Sequence, residues 1–249
     1  MTKAIAAADD LELVAAISRN HAGKTLGDAI EAEGLETAVY SNAAEALKTN
    51  PHVFVEYTKP SVAKHHVLAA LENGAHVVIG TSGLSNEDYA EIDKTAQAMK
   101  RGVLAVGNFA LTVVLLQKFA EMAAKYVPHW EIIDYAHEDK IDAPSGTARE
   151  LANRLAQIRE AALDVPLEKV NGLKESRGAR LQGTQVHSVR LPGHVISIEA
   201  IFGMPDQKLS IRHDSGTSAK PYVDGALLAI RQVGRLVGVH RGLDSVMEF

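Results

Sequence analysis

Apolar residues fall into two regimes along this chain. Between residues 11 and 106, short, mainly apolar runs at 11–17, 38–40, 53–57, 76–79 and 103–106 have the length of strands. Segments 29–33, 43–48, 61–73 and 86–101 lie between them and carry helix formers, and residues 2–9 form an alanine-rich helix closed by Asp9-Asp10. Fully apolar strands alternating with helices predict βαβ units in a parallel sheet, with ligands at the C-terminal ends of the strands. Each run ends in small or polar residues, as binding loops require.

The pattern then changes. Residues 111–126 are apolar at helical spacing and read as a core helix, and Pro128 ends it before a strand that starts at Trp130. The polar stretch 168–182, with Gly172 and Gly178, reads as a surface loop open to a partner or an interface. Runs 184–191, 195–202 and 208–213 alternate or nearly alternate, split by Pro192-Gly193 and by 203–206, and predict an antiparallel meander. A last helix is expected over 223–237.

Residues 131–151 carry the densest chemistry. Ile132 and Ile133 read as the end of a buried strand. A polar stretch follows, Pro144 breaks regular structure, and Ser145-Gly146-Thr147 leads into a helix over 148–156. A helix N-terminus offers unpaired N–H groups backed by the positive end of the helix dipole, which suits a carboxylate or phosphate. Ser145 and Thr147 add hydroxyls, Gly146 lets a ligand approach the backbone, and Lys140 adds a mobile cation able to donate a proton. A plain cap fits the same residues: Asp142 or Ser145 capping the helix, with His137 and Lys140 on a wet loop.

The totals narrow the choices. A chain of 249 residues holds one large or two small domains. A net charge of −5 leaves no basic stripe for nucleic acid or a membrane surface. The absence of cysteine removes disulfides, thiolate nucleophiles and cysteine-ligated metals. No apolar run approaches about 18 residues and no signal-peptide pattern opens the chain, so a cytoplasmic protein is expected. The 11 histidines lack metal-ligand spacing, and His65-His66 reads as surface or packing.

Lys140-Ile141-Asp142-Ala143-Pro144-Ser145-Gly146-Thr147-Ala148 resembles the signature of the dihydrodipicolinate reductases, NAD(P)H enzymes of the diaminopimelate route to lysine. Gly80-Thr81-Ser82-Gly83 and Gly107-Asn108-Phe109 resemble that family's turns around the nicotinamide, and Tyr57-Thr58-Lys59-Pro60 its aromatic-Thr-basic-Pro turn. The stretches 187–193 and 211–215 look like the family as well, so the resemblance runs over nearly the whole chain from about Leu11. It implies an α/β fold: a Rossmann-like parallel-sheet nucleotide-binding domain at 1–109 and 221–249, and an α+β domain with an open, mainly antiparallel sheet at 110–220. It implies a homotetramer assembled through that sheet, and a small dicarboxylate as substrate. Arg19 falls where NADP(H)-preferring members set an arginine on the 2′-phosphate, and Ser18 stands in place of the usual ribose acid. This favours NADPH, with NADH possible. The family's first strand and glycine-rich pyrophosphate turn have no counterpart. The pattern starts about 20 residues late, judged by the size of a strand, a turn and half a helix. Without that strand, two inner strand edges are expected to lie open.

The resemblance also implies roles: Lys140 as proton donor, His137 as a catalytic and substrate-contacting residue, and Ser145, Gly146 and Thr147 as a carboxylate cradle. The cofactor residues it implies are Arg19, Thr58, Lys59, Gly80, Thr81, Ser82, Gly107, Asn108 and Phe109. Hydride addition to a dianion needs cations for binding and an acid for the electron-rich centre left behind. Two departures stand out. The first histidine of the family's pair corresponds to Ala136, which leaves Tyr135, His137, Lys140 or water for the proton. The arginine that many members carry after the His-Asp-Ser run is absent, with Ser218 near its position and Lys220 two residues on. Three functions fit: this reductase, a related reductase of another cyclic imine or unsaturated carboxylate, and a non-catalytic oligomeric binding protein on the same scaffold.

Overall fold

Three of the mainly apolar runs become adjacent parallel strands. In the computed structural model, which describes residues 1–249, β3 (Val53–Glu56), β4 (His76–Ile79) and β5 (Gly102–Ala105) pair in that order. Helices α4 (Pro60–Glu72) and α5 (Asn86–Met99) connect them. Val67, Leu71, Ile92 and Ala96 from these helices pack with Val77, Ile79 and Val103, all fully or nearly fully buried. That burial is why the strands read as continuous apolar runs rather than alternating ones. Local chemistry sets the helix starts: Pro60 occupies the first turn of α4, and Ser85 and Asp88 form a reciprocal capping box on α5.

A fourth parallel strand, β11 (Gly238–Arg241), lies beyond β5. The last helix, α8 (Val223–Gln232), ends earlier than its pattern predicts and passes through one short turn into this strand. Four residues containing His240 and Arg241 give no apolar run to read. Pairing with β5, and the Val239 N–H donated to Asp93 at 2.7 Å, make them a strand.

The parallel sheet is not continuous. β1 (Ala16–Ile17) and β2 (Val39–Tyr40) form a separate two-stranded parallel sheet, flanked by short helices α1 (Thr2–Ala6), α2 (Leu26–Ile30) and α3 (Ala43–Ala46). The strand expected over 11–17 therefore shrinks to its last two residues, because no strand stands beside the others to take their hydrogen bonds. The helix expected over 29–33 starts earlier, where Thr25 caps the N–H of Asp28, and stops at Glu31 in the left-handed region.

The second sheet has five strands in the order β10-β9-β6-β8-β7: β6 (His129–Ala136), β7 (Ala179–Leu181), β8 (Thr184–Arg190), β9 (Ile196–Met204) and β10 (Gln207–Ser215). This corrects the predicted meander. β8 and β9 do not pair; β6 lies between them, parallel to β8 and antiparallel to β9. The 191–195 turn straddles the end of β6, with Leu191 N–H on the Ala136 carbonyl and His137 N–H on the Val195 carbonyl. Alternation fixes which face each residue takes but not which strand is its neighbour. The expected loop 168–182 contains the edge strand β7, joined to β8 through Gln182 and Gly183, both at positive φ.

Helices α6 (Leu111–Ala124) and α7 (Gly146–Ala156) cover one face of this sheet. Leu116, Ala120, Leu151 and Leu155 pack there with Trp130, Ile132, Ile198 and Phe202. Trp130 packs at a tilt against Phe202, ring centroids 5.8 Å apart, and donates its indole N–H to Thr184 at 3.0 Å. The chain divides into two compact units, Met1–Phe109 with Tyr222–Phe249, and Ala110–Pro221. No helix is long and apolar enough to cross a membrane.

One titratable group is built into the parallel sheet. His76 Nδ1 accepts the Gly102 N–H at 2.9 Å, and burial, with the charges of Arg101 and His52, holds its pKa below the ordinary 6.5. The unfolded chain therefore takes up this proton first as pH falls. The stabilisation is full above the unfolded pKa and is lost on acidification, with stability rising with pH in that window. The urea midpoint should drop between about pH 7 and about pH 5, and less steeply in His76→Asn, whose side-chain oxygen accepts the same bond without titrating. Equal slopes in the two proteins would remove His76 from the account.

Candidate active site

The polar segment after β6 is anchored by a buried ion pair. β6 runs three residues past its expected end at Ile133, so Asp134 lies on the inward face with Trp130 and Ile132, only 1% exposed. Its Oδ2 accepts from Arg190 Nη2 on β8 at 2.8 Å and from the Ser145 N–H at 2.8 Å, with the Ser188 hydroxyl at 3.4 Å. Arg190 Nη2 also donates to the Asp142 carbonyl at 2.6 Å, and Nη1 to the carbonyls of Asp134 and Val189. One guanidinium thus fixes β6, β8 and the loop leading to α7.

This arrangement divides the helix N-terminus between the two readings. Ser145 is the cap: its Oγ accepts the Ala148 N–H, and its own N–H goes to Asp134. The next two N–H groups, of Gly146 and Thr147, have no partner within the protein and are left open at the helix end. Gly146 is exposed, and a Cβ there would meet nothing nearer than the Arg149 guanidinium at 3.9 Å, so the space outside it is open.

Lys140 and His137 flank this pair on the same loop, and the Lys140 N–H closes a turn onto the His137 carbonyl. Lys140 Nζ lies 2.5 Å from Asp142 Oδ1, and the hydrogen bond from Lys140 holds the Asp142 carboxyl below its usual range. His137 Nδ1 meets Asp139, whose carboxyl it lowers in the same way. Both side chains are thus paired with local acids on an accessible loop.

Two neighbours bear on the proton. Ala136 is fully buried on the Asp134 face of β6. Tyr135 points to the opposite face, where its hydroxyl donates to Glu199 at 3.3 Å and its ring lies between the Arg212 guanidinium and the His194 ring. Burial first, then the Glu199 charge, push its pKa up. Tyr135 is therefore turned away from the α7 N-terminus.

The cofactor residues drawn from the resemblance lie in the first unit. Thr58, Lys59, Gly80, Thr81, Ser82, Gly107, Asn108 and Phe109 gather at the C-terminal ends of β3, β4 and β5. Arg19 is exposed, two residues past β1 and so beyond the separate two-stranded sheet; neither it nor Lys59 is in an ion pair. Tyr57 is 60% exposed and stacks on buried Phe109, with ring centroids 6.2 Å apart. Gly80 lies against this pair, and a Cβ there would run into the Tyr57 ring. The hydroxyls of Thr58 and Thr81 both turn inward to Glu56, a buried acid that also meets His66 Nδ1 at 3.0 Å.

Sequence reasoning missed Asp134, Arg190, Glu56 and His66. The signal was an acid on the inward period of an apolar strand, at Asp134 after Trp130 and Ile132, and at Glu56 closing Val53-Phe54-Val55. His66, read as surface or packing, is the partner of that second acid.

Comparison with known proteins gives a consistent result. Residues 1–109 match the family model described as dihydrodipicolinate reductase, N-terminus, and residues 112–247 match dihydrodipicolinate reductase, C-terminus. The 4-hydroxy-tetrahydrodipicolinate reductase of Listeria monocytogenes serotype 4b (strain F2365) is 37% identical over 240 residues, 96% of this chain and 91% of the relative. That of Bacillus pumilus (strain SAFR-032) is 38% identical over 238 residues, 95% and 88% of the two chains. A dipicolinate-bound dihydrodipicolinate reductase from Paenisporosarcina sp. TG-14 superimposes with a TM-score of 0.88 at 31% identity, covering 99% of this chain and 93% of that one. An amine dehydrogenase from Mycobacterium smegmatis, 18% identical with a TM-score of 0.61 and covering 92% and 87% of the chains, shares the fold alone.

The buried pair yields a direct prediction. Arg190→Met leaves the Asp134 carboxylate uncompensated and should lower unfolding free energy by about 3–5 kcal/mol, read from urea titrations. Adding Asp134→Asn to it should recover part of that loss, because the stranded charge is gone. A single variant as stable as wild type would mean that the pair carries no charge across this core.

Proposed function

The chain belongs to the dihydrodipicolinate reductase family, and from that premise we propose that it reduces 4-hydroxy-tetrahydrodipicolinate to tetrahydrodipicolinate with a pyridine nucleotide, in the diaminopimelate route to lysine. The observation that carries this reading is the open N–H pair of Gly146 and Thr147 at the start of α7, reached by the loop that carries Lys140 and His137, a helix end suited to a carboxylate.

The first unit suits the cofactor. The exposed Tyr57 ring, seated against Gly80 and Phe109, offers a flat face, and Arg19 and Lys59 keep their charge for phosphate. Arg19 supports NADPH over NADH. The bound nucleotide supplies a hydride. For the reaction to balance, the substrate gains that hydride and one proton and loses its hydroxyl as water. Gly146 and Thr147 N–H groups, with the Ser145 hydroxyl, hold one carboxylate. Lys140 exchanges its contact with Asp142 for substrate and donates the proton, and His137 contacts the dicarboxylate.

A reductase of another cyclic imine or unsaturated carboxylate is the second reading, favoured by the buried, non-titratable Ala136 where the family carries histidine. The working form proposed is a homotetramer joined through the sheet face of Glu131, Ile133 and Tyr135, which α6 and α7 leave uncovered, in the cytoplasm.

The test is titration calorimetry with NADPH and NADH, with and without pyridine-2,6-dicarboxylate, followed by turnover of the hydroxylated precursor. Nucleotide binding that tightens with the dicarboxylate, and turnover, are the expected results. Binding without turnover points to the second reading, and no binding of either nucleotide leaves a non-catalytic scaffold. In the same assays Lys140→Ala should lower kcat by about a hundredfold with folding intact. Wild-type rates in that variant would take the proton away from Lys140. Arg19→Ala should raise KM for NADPH by about tenfold and leave KM for NADH alone, since only the former carries a 2′-phosphate. A parallel rise for both nucleotides would remove Arg19 from phosphate recognition.

A further inference from the structure

We propose that Glu56 is a positioning residue of the nucleotide site, holding the turns after β3 and β4 together through the hydroxyls of Thr58 and Thr81. This rests on the reading that the first unit binds a pyridine nucleotide. Glu56 ends β3 and is 1% exposed. A carboxylate so deeply buried is costly unless its oxygens are satisfied. Oε1 accepts the Thr58 hydroxyl and, at 3.4 Å, the Thr81 hydroxyl, while Oε2 lies 3.0 Å from Nδ1 of His66 on α4. The Thr81 oxygen in turn accepts the Thr58 N–H at 2.8 Å. The ring of contacts is closed, so breaking one hydroxyl loosens both turns.

An apolar residue at 56 would fill the same core but leave these donors without an acceptor. What the carboxylate adds is a fixed geometry for exposed backbone: Thr58-Lys59 on one side, Ser82-Gly83 on the other. The two threonines thus serve a nucleotide through Glu56, and the contacts themselves come from the turns they hold.

Thr81→Val removes the hydroxyl at nearly constant volume, and Thr81→Ser keeps it. In nucleotide-free protein, amide exchange at 57–59 and 80–83 should speed up by about three- to tenfold in Thr81→Val, as for one lost net hydrogen bond. The NADPH dissociation constant should rise by a similar factor. Thr81→Ser should stay within about twofold of wild type on each readout. Glu56→Gln should move in the same direction as Thr81→Val; if it does not fold, the Thr81 pair decides alone. Wild-type exchange or affinity in Thr81→Val, or equal losses in both Thr81 variants, would overturn the proposal. A wild-type chain that binds neither nucleotide sinks the functional reading instead, whereas wild-type binding with an indifferent Thr81→Val sinks only this inference.

Discussion

The second unit is organised around one constraint: a carboxylate with almost no solvent exposure must find its donors inside the protein. Asp134 finds them in Arg190 and in the backbone N–H of Ser145, which are 56 and 11 residues away in sequence. Burying two charges costs several kcal/mol per ion, and their mutual attraction does no more than roughly offset that. The pair therefore contributes little net stability. Its effect is geometric: Arg190 reaches β6, the Asp142 carbonyl and Asp134 at once, so the loop 137–145 and the start of α7 keep one position relative to both strands. The charges also cancel locally. The positive end of α7 then remains at the open N–H groups.

The two units differ in how much of their architecture the sequence discloses. A parallel sheet packed against helices favours apolar residues at successive positions, so β3, β4 and β5 stand out as mainly apolar runs despite Glu56 and His76 at their ends. In the five-stranded sheet one face meets α6 and α7, and alternation reports inward and outward positions correctly at Trp130, Ile132, Ile198 and Phe202. It carries no information on strand order, since β8 and β9 alternate identically whether they pair with each other or with β6 between them. β11 marks the opposite limit, four residues whose strand character comes from β5 and Asp93 rather than from their own pattern.

The site was legible where its chemistry is local. Pro144-Ser145-Gly146-Thr147 encodes a break, a cap and an exposed backbone within four residues, and the structure contains each of them. It was misread where a partner lies far along the chain. Thr58 and Thr81 look like free hydroxyl donors in isolation; Glu56, adjacent in sequence to one turn and 25 residues from the other, takes both. Likewise Tyr135 looks like an acid beside the motif, but strand alternation puts it on the other face from Asp134, against Glu199 and Arg212.

The replacement at Ala136 changes how a proton would reach the substrate. That position is sealed from solvent and carries no titratable atom, and Tyr135 is turned away, so on the proposed reading the acid comes from the loop or from water. On that loop Lys140 contacts Asp142, whose lowered pKa keeps it ionised at neutral pH, and the contact is an ammonium–carboxylate pair. On the proposed reading, an incoming dianion would offer Lys140 a second carboxylate while the Gly146 and Thr147 N–H groups held the first. Partner exchange of this kind keeps the ammonium paired throughout, so substrate need not compensate a bare charge. In this chain binding and protonation would then converge on one side chain, where a histidine at 136 would have divided them between two.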